Sequence, residues 1–168
     1  MIEFRVVGVP APQGSKSAFV RGGRAIVVEG KGPGRVRHSD WRQAVATAAR
    51  DHIAERGTES IAPRGPVSVT LVFSFPLPAG DPYRTRHTTR PDVDKLARSV
   101  LDSLVSVGMI ADDSLVFELF CRKLYAHGEA PGCVIRVESC LDVEAGERAA
   151  RKRAAAEARR GSRGAATA

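Results

Sequence analysis

In the run Pro66–Pro78, the apolar residues Val67, Val69, Leu71, Phe73, Phe75 and Leu77 alternate with mostly small or polar neighbours. That period of two predicts a strand with one face in the core. Upstream, Ile2–Gly8 reads as a short strand, broken by "PAPQGSK" with its two prolines and a glycine. "SAFV" and "RAIVVE" flank Arg21-Gly22-Gly23-Arg24, the signature of a hairpin. Gly30–Arg37 reads as a glycine-rich, basic loop, after which Ser39 or Asp40 is expected to cap a helix ending near Gly57. Within it Trp41, Ala44, Val45 and Ala48 recur at helical spacing. From Val93 to about Val107, Leu96, Val100, Leu101 and Leu104 fall on one side of a second helix, and Asp94, Arg98 and Asp102 form a charged stripe on the other. Two last strands, about Leu115–Tyr125 and Cys133–Leu141, are joined by the turn "AHGEAPG". The order βββ-α-β-α-ββ predicts an α+β fold: a mixed sheet with helices packed on it.

A chain of 168 residues is about the size of one domain and can bury a core without metal or disulfide staples. The formal net charge is +7, but from Glu147 onward seven Arg/Lys face two Glu, net +5, which leaves +2 for residues 1–146. The expected organisation is one domain over 1–146 and a basic Ala/Arg-rich tail over 147–168, helical or disordered, able to serve as a nonspecific arm for nucleic acid. Cys121, Cys133 and Cys140 form no C-x-x-C pair and leave an odd thiol, which fits a reducing cytoplasm and buried, inert side chains. The start "MIEFRVVGVPAPQ" has no basic leader, and no segment approaches the ~18 apolar residues of a membrane span. A cytoplasmic protein without a membrane partner is expected.

Against that basic balance, the stretch Thr89–Val116 gathers Asp92, Asp94 and Asp102, then Asp112 and Asp113. A helix N-terminus favours carboxylates for capping and dipole reasons, and an acidic pair is ordinary in a turn. The combination says more. Mg²⁺ needs only two or three carboxylate oxygens, keeping its waters and adding substrate phosphates, and a bound cation offsets the repulsion among crowded aspartates. Cations surround the acids: Arg84, Arg86 and Arg90 before them, Lys95 and Arg98 among them, and Arg122 and Lys123 after them, with Lys16 further upstream. Acids to hold metal amid bases to hold phosphate describe a nuclease-like site better than a calcium buffer. The four histidines are too scattered for zinc, "GVPAPQGSK" lacks the order of a phosphate loop, and "RTRHTTRP" is not the hydrophobic strand that a haloacid-dehalogenase D-x-D should end. The rival reading from another class is a non-enzymatic basic DNA-binding protein whose aspartates are caps.

"RPDVDKLARSVLDSL", followed after a short gap by "ADDSLVFELFCRKLY", resembles the RusA-type crossover junction endodeoxyribonucleases, which resolve Holliday junctions. That family's pattern is R-x-D-x-D-N-hydrophobic-x-K-x-x-x-D-x-L, a Gly-containing turn, D-D, a strand and a Lys. The likeness extends loosely over about residues 2–141 and leaves out the tail. It implies catalytic, metal-binding aspartates at Asp92, Asp94 and Asp113, a catalytic cation at Arg98 where the family has Lys, and the later strand lysine at Lys123. Lys95 stands where the family has Asn. Arginine keeps the charge and can clamp a phosphate but does not readily give up a proton. The resemblance further implies a homodimer, Mg²⁺ with Mn²⁺ as a substitute, branched DNA as substrate, and a bacterial or phage gene product acting in the cytoplasm at the nucleoid. A nuclease of the same fold with other branched substrates is the nearer rival. Independently, two matched nicks on a near-symmetric junction call for two related sites, which a two-fold dimer supplies.

A helix over Val93–Val107, rising about 1.5 Å per residue, separates the two acidic groups by ~20 Å. Either "GMIADD" doubles back along the helix, at nearly its full extended reach, or two such helices pack antiparallel across a dimer axis and each site combines Asp92 and Asp94 of one subunit with Asp113 of the other. The second arrangement is the expectation.

Overall fold

The computed structural model describes the chain except residues 15, 22–23, 30–32, 58–64 and 166–168. Among the described residues, six strands and three helices follow in the order β1 (Ile2–Val7), β2 (Lys16–Arg21), β3 (Arg24–Glu29), α1 (Pro33–Arg56), β4 (Val67–Phe75), α2 (Val93–Ser106), β5 (Val116–Tyr125), β6 (Gly132–Ser139) and α3 (Leu141–Ala165). The α+β expectation holds, element by element up to β6. β2 and β3 pair antiparallel as the expected hairpin, although Gly22 and Gly23 lie outside the described residues. Two boundaries differ. α1 begins at Pro33, not after Ser39 or Asp40; proline is tolerated in a first helical turn, where its missing N–H has no partner to lose. The last helix starts at Leu141, ahead of the charge run, because the chain turns out of β6 at Cys140, whose N–H donates to the Pro66 carbonyl.

The main sheet has the order β1-β6-β4-β5, with β4–β5 parallel and the other pairs antiparallel. β4 lies inside it, and its alternation is the clearest in the fold: Val67, Val69, Leu71, Phe73 and Phe75 are all buried. Each such side chain contributes about 1.5–3 kcal/mol by leaving water. The helices cover this face. α2 buries Leu96, Ala97, Val100 and Leu104, and α1, packed against α2 and β1, buries Trp41, Val45 and Ala49. At the β1–β6 seam the backbones come so close that a Cβ on Gly132 would collide with the Val6 carbonyl oxygen, so only glycine fits there. The three cysteines are unpaired thiols. Burial pushes the Cys121 thiol up to about 11 and Cys133 higher still, so both stay protonated at neutral pH.

The parallel β4–β5 pair positions everything that follows. Two parallel neighbours need a crossover, and α2 is that crossover. It therefore runs opposite to both strands, starting at the sheet end marked by the Phe75↔Tyr125 pair and finishing at the end marked by Val67↔Val116. Gly108, at φ +76°, turns the chain out of α2, and Met109 and Ile110 are buried beneath it before Asp113–Leu115 forms a single 3-10 turn into β5.

Candidate metal and nucleic-acid site at the start of the crossover helix

The approach to α2 is built from the polar loop after β4. His87 packs between Phe75 and Tyr125, with ring centroids 4.0 and 4.9 Å away. The backbone N–H of His87 donates to the Lys123 carbonyl, and the backbone N–H of Tyr125 to the Thr85 carbonyl, so this loop lies along the last residues of β5. Burial, then the positive charge of Lys123, holds the imidazole below its ordinary pKa of 6.5, and Arg84 adds to this while a backbone hydrogen bond opposes it. The Lys123 ammonium donates to the carbonyls of Thr89 (2.7 Å) and Pro91 (2.6 Å), the residues that lead into α2. A strand lysine thus fixes the start of the helix that carries the acids.

Asp92 occupies the N-cap position of α2, yet its carboxylate makes no capping hydrogen bond. It lies 3.5 Å from the Lys95 ammonium instead, and both groups are about half exposed. Asp94 is exposed in the first turn and Arg98 is exposed one turn later. Asp102 is withdrawn from this group: its carboxylate accepts from Gln13 Nε2 (2.9 Å), and the Gln13 N–H donates to the Lys95 carbonyl (3.1 Å), which ties the Gly8–Gly14 segment to the helix. Val9–Pro12 and Gly14 of that segment, with Phe75, Arg37, Arg90, Pro91, Asp92 and Lys95, line a groove of about 580 Å³. Asp92 therefore stands in the wall of a cleft that carries three cations, with Asp94 two residues further along the helix. Exposed carboxylates are hard oxygen donors of the kind Mg²⁺ or Mn²⁺ takes alongside its own waters.

At the far end, the acidic pair divides its work. Asp112 accepts from the Ser114 N–H (2.8 Å) and caps the 3-10 turn, and hydrogen bonds to Ser114 hold its carboxyl below the usual range. Asp113 is exposed beside it. The segment Gly108–Asp113 does not double back, because the chain enters β5 at Val116, opposite Val67. Within one subunit, the 14 residues of α2 keep Asp113 about 20 Å from Asp92 and Asp94. Among the described residues of the chain, no three His, Cys, Asp or Glu side chains come together as a metal group.

Of the other candidate contacts, Arg84 lies over the Tyr125 ring (5.8 Å) and donates to Thr88. Arg86 pairs with Leu124 in an isolated bridge, and Arg90 is exposed at the groove. Arg122 lies over Phe120 on β5 (5.2 Å), away from the groove. Lys16 begins β2, and its side chain is outside the described residues. Sequence reasoning missed Arg37 and His87. The basic character of Gly30–Arg37 was the signal for the first, but as a loop residue it had no assigned neighbour.

A family model for the RusA endodeoxyribonucleases matches residues 10–138, a span that includes all of the groove lining but Val9, both acidic groups and both strands that flank α2. The chain belongs to the RusA endodeoxyribonuclease family. It is also similar to the uncharacterized protein YqaN of Bacillus subtilis (strain 168), 29% identical over 146 residues that cover 80% of this chain and 95% of that one. The RusA match makes nuclease chemistry the frame for the site, and the match stops before α3. No helix among the described residues is long and apolar enough to cross a membrane.

Proposed function

We propose that the protein is a homodimeric, Mg²⁺-dependent endonuclease that resolves four-way DNA junctions by paired nicks in recombination and repair, acting in the cytoplasm of a bacterium. The observation that carries this reading is a pair of exposed carboxylates at the start of α2 in a RusA-family chain: Asp92, which makes no capping hydrogen bond and lines a groove carrying three cations, and Asp94 in the first turn of the helix. Asp92 and Asp94 of one subunit, with Asp113 of the partner subunit, would hold the metal. When bound, the metal supplies a water activated for attack and positive charge against the reacting phosphate.

The chain's own residues do the rest. Arg90, Lys95 and Arg37 draw the DNA backbone into the groove, and Arg84 and Arg86 extend that surface along the loop. Arg98, one turn beyond Asp94, offers a planar fork to a phosphate oxygen and stabilises charge there without a proton transfer. Lys123 acts at one remove, as the tether that sets the approach of Asp92 and Asp94. The cap alternative has little support from Asp92, whose carboxylate does no capping.

The test is nicking of a synthetic four-way junction with Mg²⁺ and with chelator, by the native protein and by Asp94→Asn. The substitution removes a charged metal ligand without changing shape, so nicking should be abolished while junction binding persists or tightens. Full activity of Asp94→Asn, or Mg²⁺-independent nicking, would sink the metal-site assignment. Binding without any nicking by the native protein would favour the non-enzymatic reading.

A further inference from the structure

The groove beside Asp92 is lined by two unlike sets of residues. Arg37, Arg90 and Lys95 bring charge; Val9–Pro12, Phe75 and Pro91 bring apolar surface. None of its described lining residues is Ser, Thr, Asn or Gln, and Pro10 and Pro12 have no backbone N–H to donate. That surface has little to offer a phosphate oxygen. Val9 is nevertheless 57% exposed, so apolar area stands open to water beside the cations.

The apolar segment is also held at both ends. The backbone N–H of Gly8 donates to the Pro131 carbonyl (2.9 Å). The backbone N–H of Gln13 donates to the Lys95 carbonyl, and its side chain donates to Asp102. With φ fixed at each proline, this wall is formed before anything binds, and filling it requires little ordering of the chain.

The occupant that complements such a groove joins a flat apolar body to negative charge. DNA offers that combination in an unstacked nucleotide, whose base exposes its faces and whose phosphates are anionic. Apolar side chains, proline among them, make contacts of this kind with unstacked base steps. A groove of about 580 Å³ accepts one nucleotide and not a duplex. Inside a duplex the faces of each base are covered by its neighbours, and withdrawing a base costs its stacking and pairing. That cost is smallest where stacking is already broken, as at the branch point of a four-way junction.

We infer that the groove is a base-reading subsite, which takes one nucleobase unstacked at the branch point against Val9–Pro12 while Arg37, Arg90 and Lys95 hold the flanking phosphates. This rests on the reading of branched DNA as the substrate. It gives a physical basis for choosing a junction over a duplex: both present phosphates to the cations, and only the junction presents a base that is ready to leave its stack.

The experiment uses the native protein at saturating concentration in chelator, so that binding is read without cleavage. The probe is a four-way junction with 2-aminopurine placed at one position at a time across the branch point; this base is dim when stacked and bright when unstacked. One position should brighten at least threefold on binding, and the same sequence as a duplex should not. Val9→Arg then separates a base from a phosphate as occupant. A phosphate track would gain from the added cation, tightening junction and duplex by the same factor. A base subsite would be blocked, so the junction-over-duplex preference should fall at least fivefold and the brightening by at least half, while Val9→Leu keeps both. No brightening at any position, equal tightening by Val9→Arg, or brightening that Val9→Arg leaves unchanged overturns the subsite, and the native-protein measurement stands whether or not that variant folds. The nuclease reading fails separately: a native protein that brightens one position but never nicks with Mg²⁺ keeps the subsite and loses the activity, and one that nicks without brightening does the reverse.

Discussion

Lys123→Met tests how the acids are positioned. The substitution keeps the aliphatic stem and deletes the ammonium that donates to Thr89 and Pro91. Hydrogen bonds from a charged donor contribute about 1.5–3 kcal/mol each when well protected. The Thr89 bond is exposed, and water re-solvates that carbonyl, so the joint loss is nearer ~2 kcal/mol. For a chain of this size that lowers Tm by roughly 4–8 °C, a modest cost at assay temperature. Activity should fall further, because a displacement of ~1 Å at a catalytic group can cost on the order of 100-fold. Nicking of a four-way junction should drop at least tenfold while the protein stays folded. A second readout isolates the charge. Removing Lys123 deletes one cause of the depressed His87 pKa, so an NMR titration should show that pKa rising toward 6.5 while burial still holds it below. In the native protein a lowered folded-state pKa contributes stability that is fully present above 6.5 and is lost as pH falls below it, levelling off once the folded-state pKa is passed. The variant should lose less on acidification. Unchanged nicking together with an unmoved His87 titration would refute the tether.

Arg98→Ala should lower kcat more than it raises KM, because a fork that meets the phosphate in the transition state acts on turnover; equal losses in both would make it a plain binding contact. Deleting the residues after Glu147 removes +6 of charge and should leave junction cleavage intact while weakening DNA binding. Each lost phosphate contact flattens the log–log salt slope by ~0.9, and an unchanged slope would mean that the tail does not touch DNA.

The element order was readable from periodicity because the apolar positions of β4 and α2 obey the strand and helix periods almost without interruption. Pro33 and Gly34 concealed the first turns of α1, since the residues that open a helix are also loop signals. Strand order was not legible. Nothing local in Val116–Tyr125 says that it lies parallel to β4 on an edge; that follows from the crossover through α2. The acids Asp92, Asp94 and Asp113 were legible as a motif, and their separation as helix rise. The division of labour was not: Asp112 caps a turn and Asp102 holds Gln13, roles that depend on which backbone folds against each carboxylate. Lys123 looked like one more phosphate contact because its charge is local information and its two carbonyl partners, more than 30 residues upstream, are not.

The central claim, a nuclease site assembled from two subunits, is tested most directly by mixing two dead variants. Asp94→Asn and Asp113→Asn should each be inactive alone. In a mixed dimer, one site inherits both substitutions and the other inherits neither, so mixing should restore nicking of a four-way junction as single nicks, requiring Mg²⁺, at up to about a quarter of native activity for a random mixture with native-like subunit exchange. If exchange is verified and the mixture stays inactive, each site lies within one subunit and the account is contradicted.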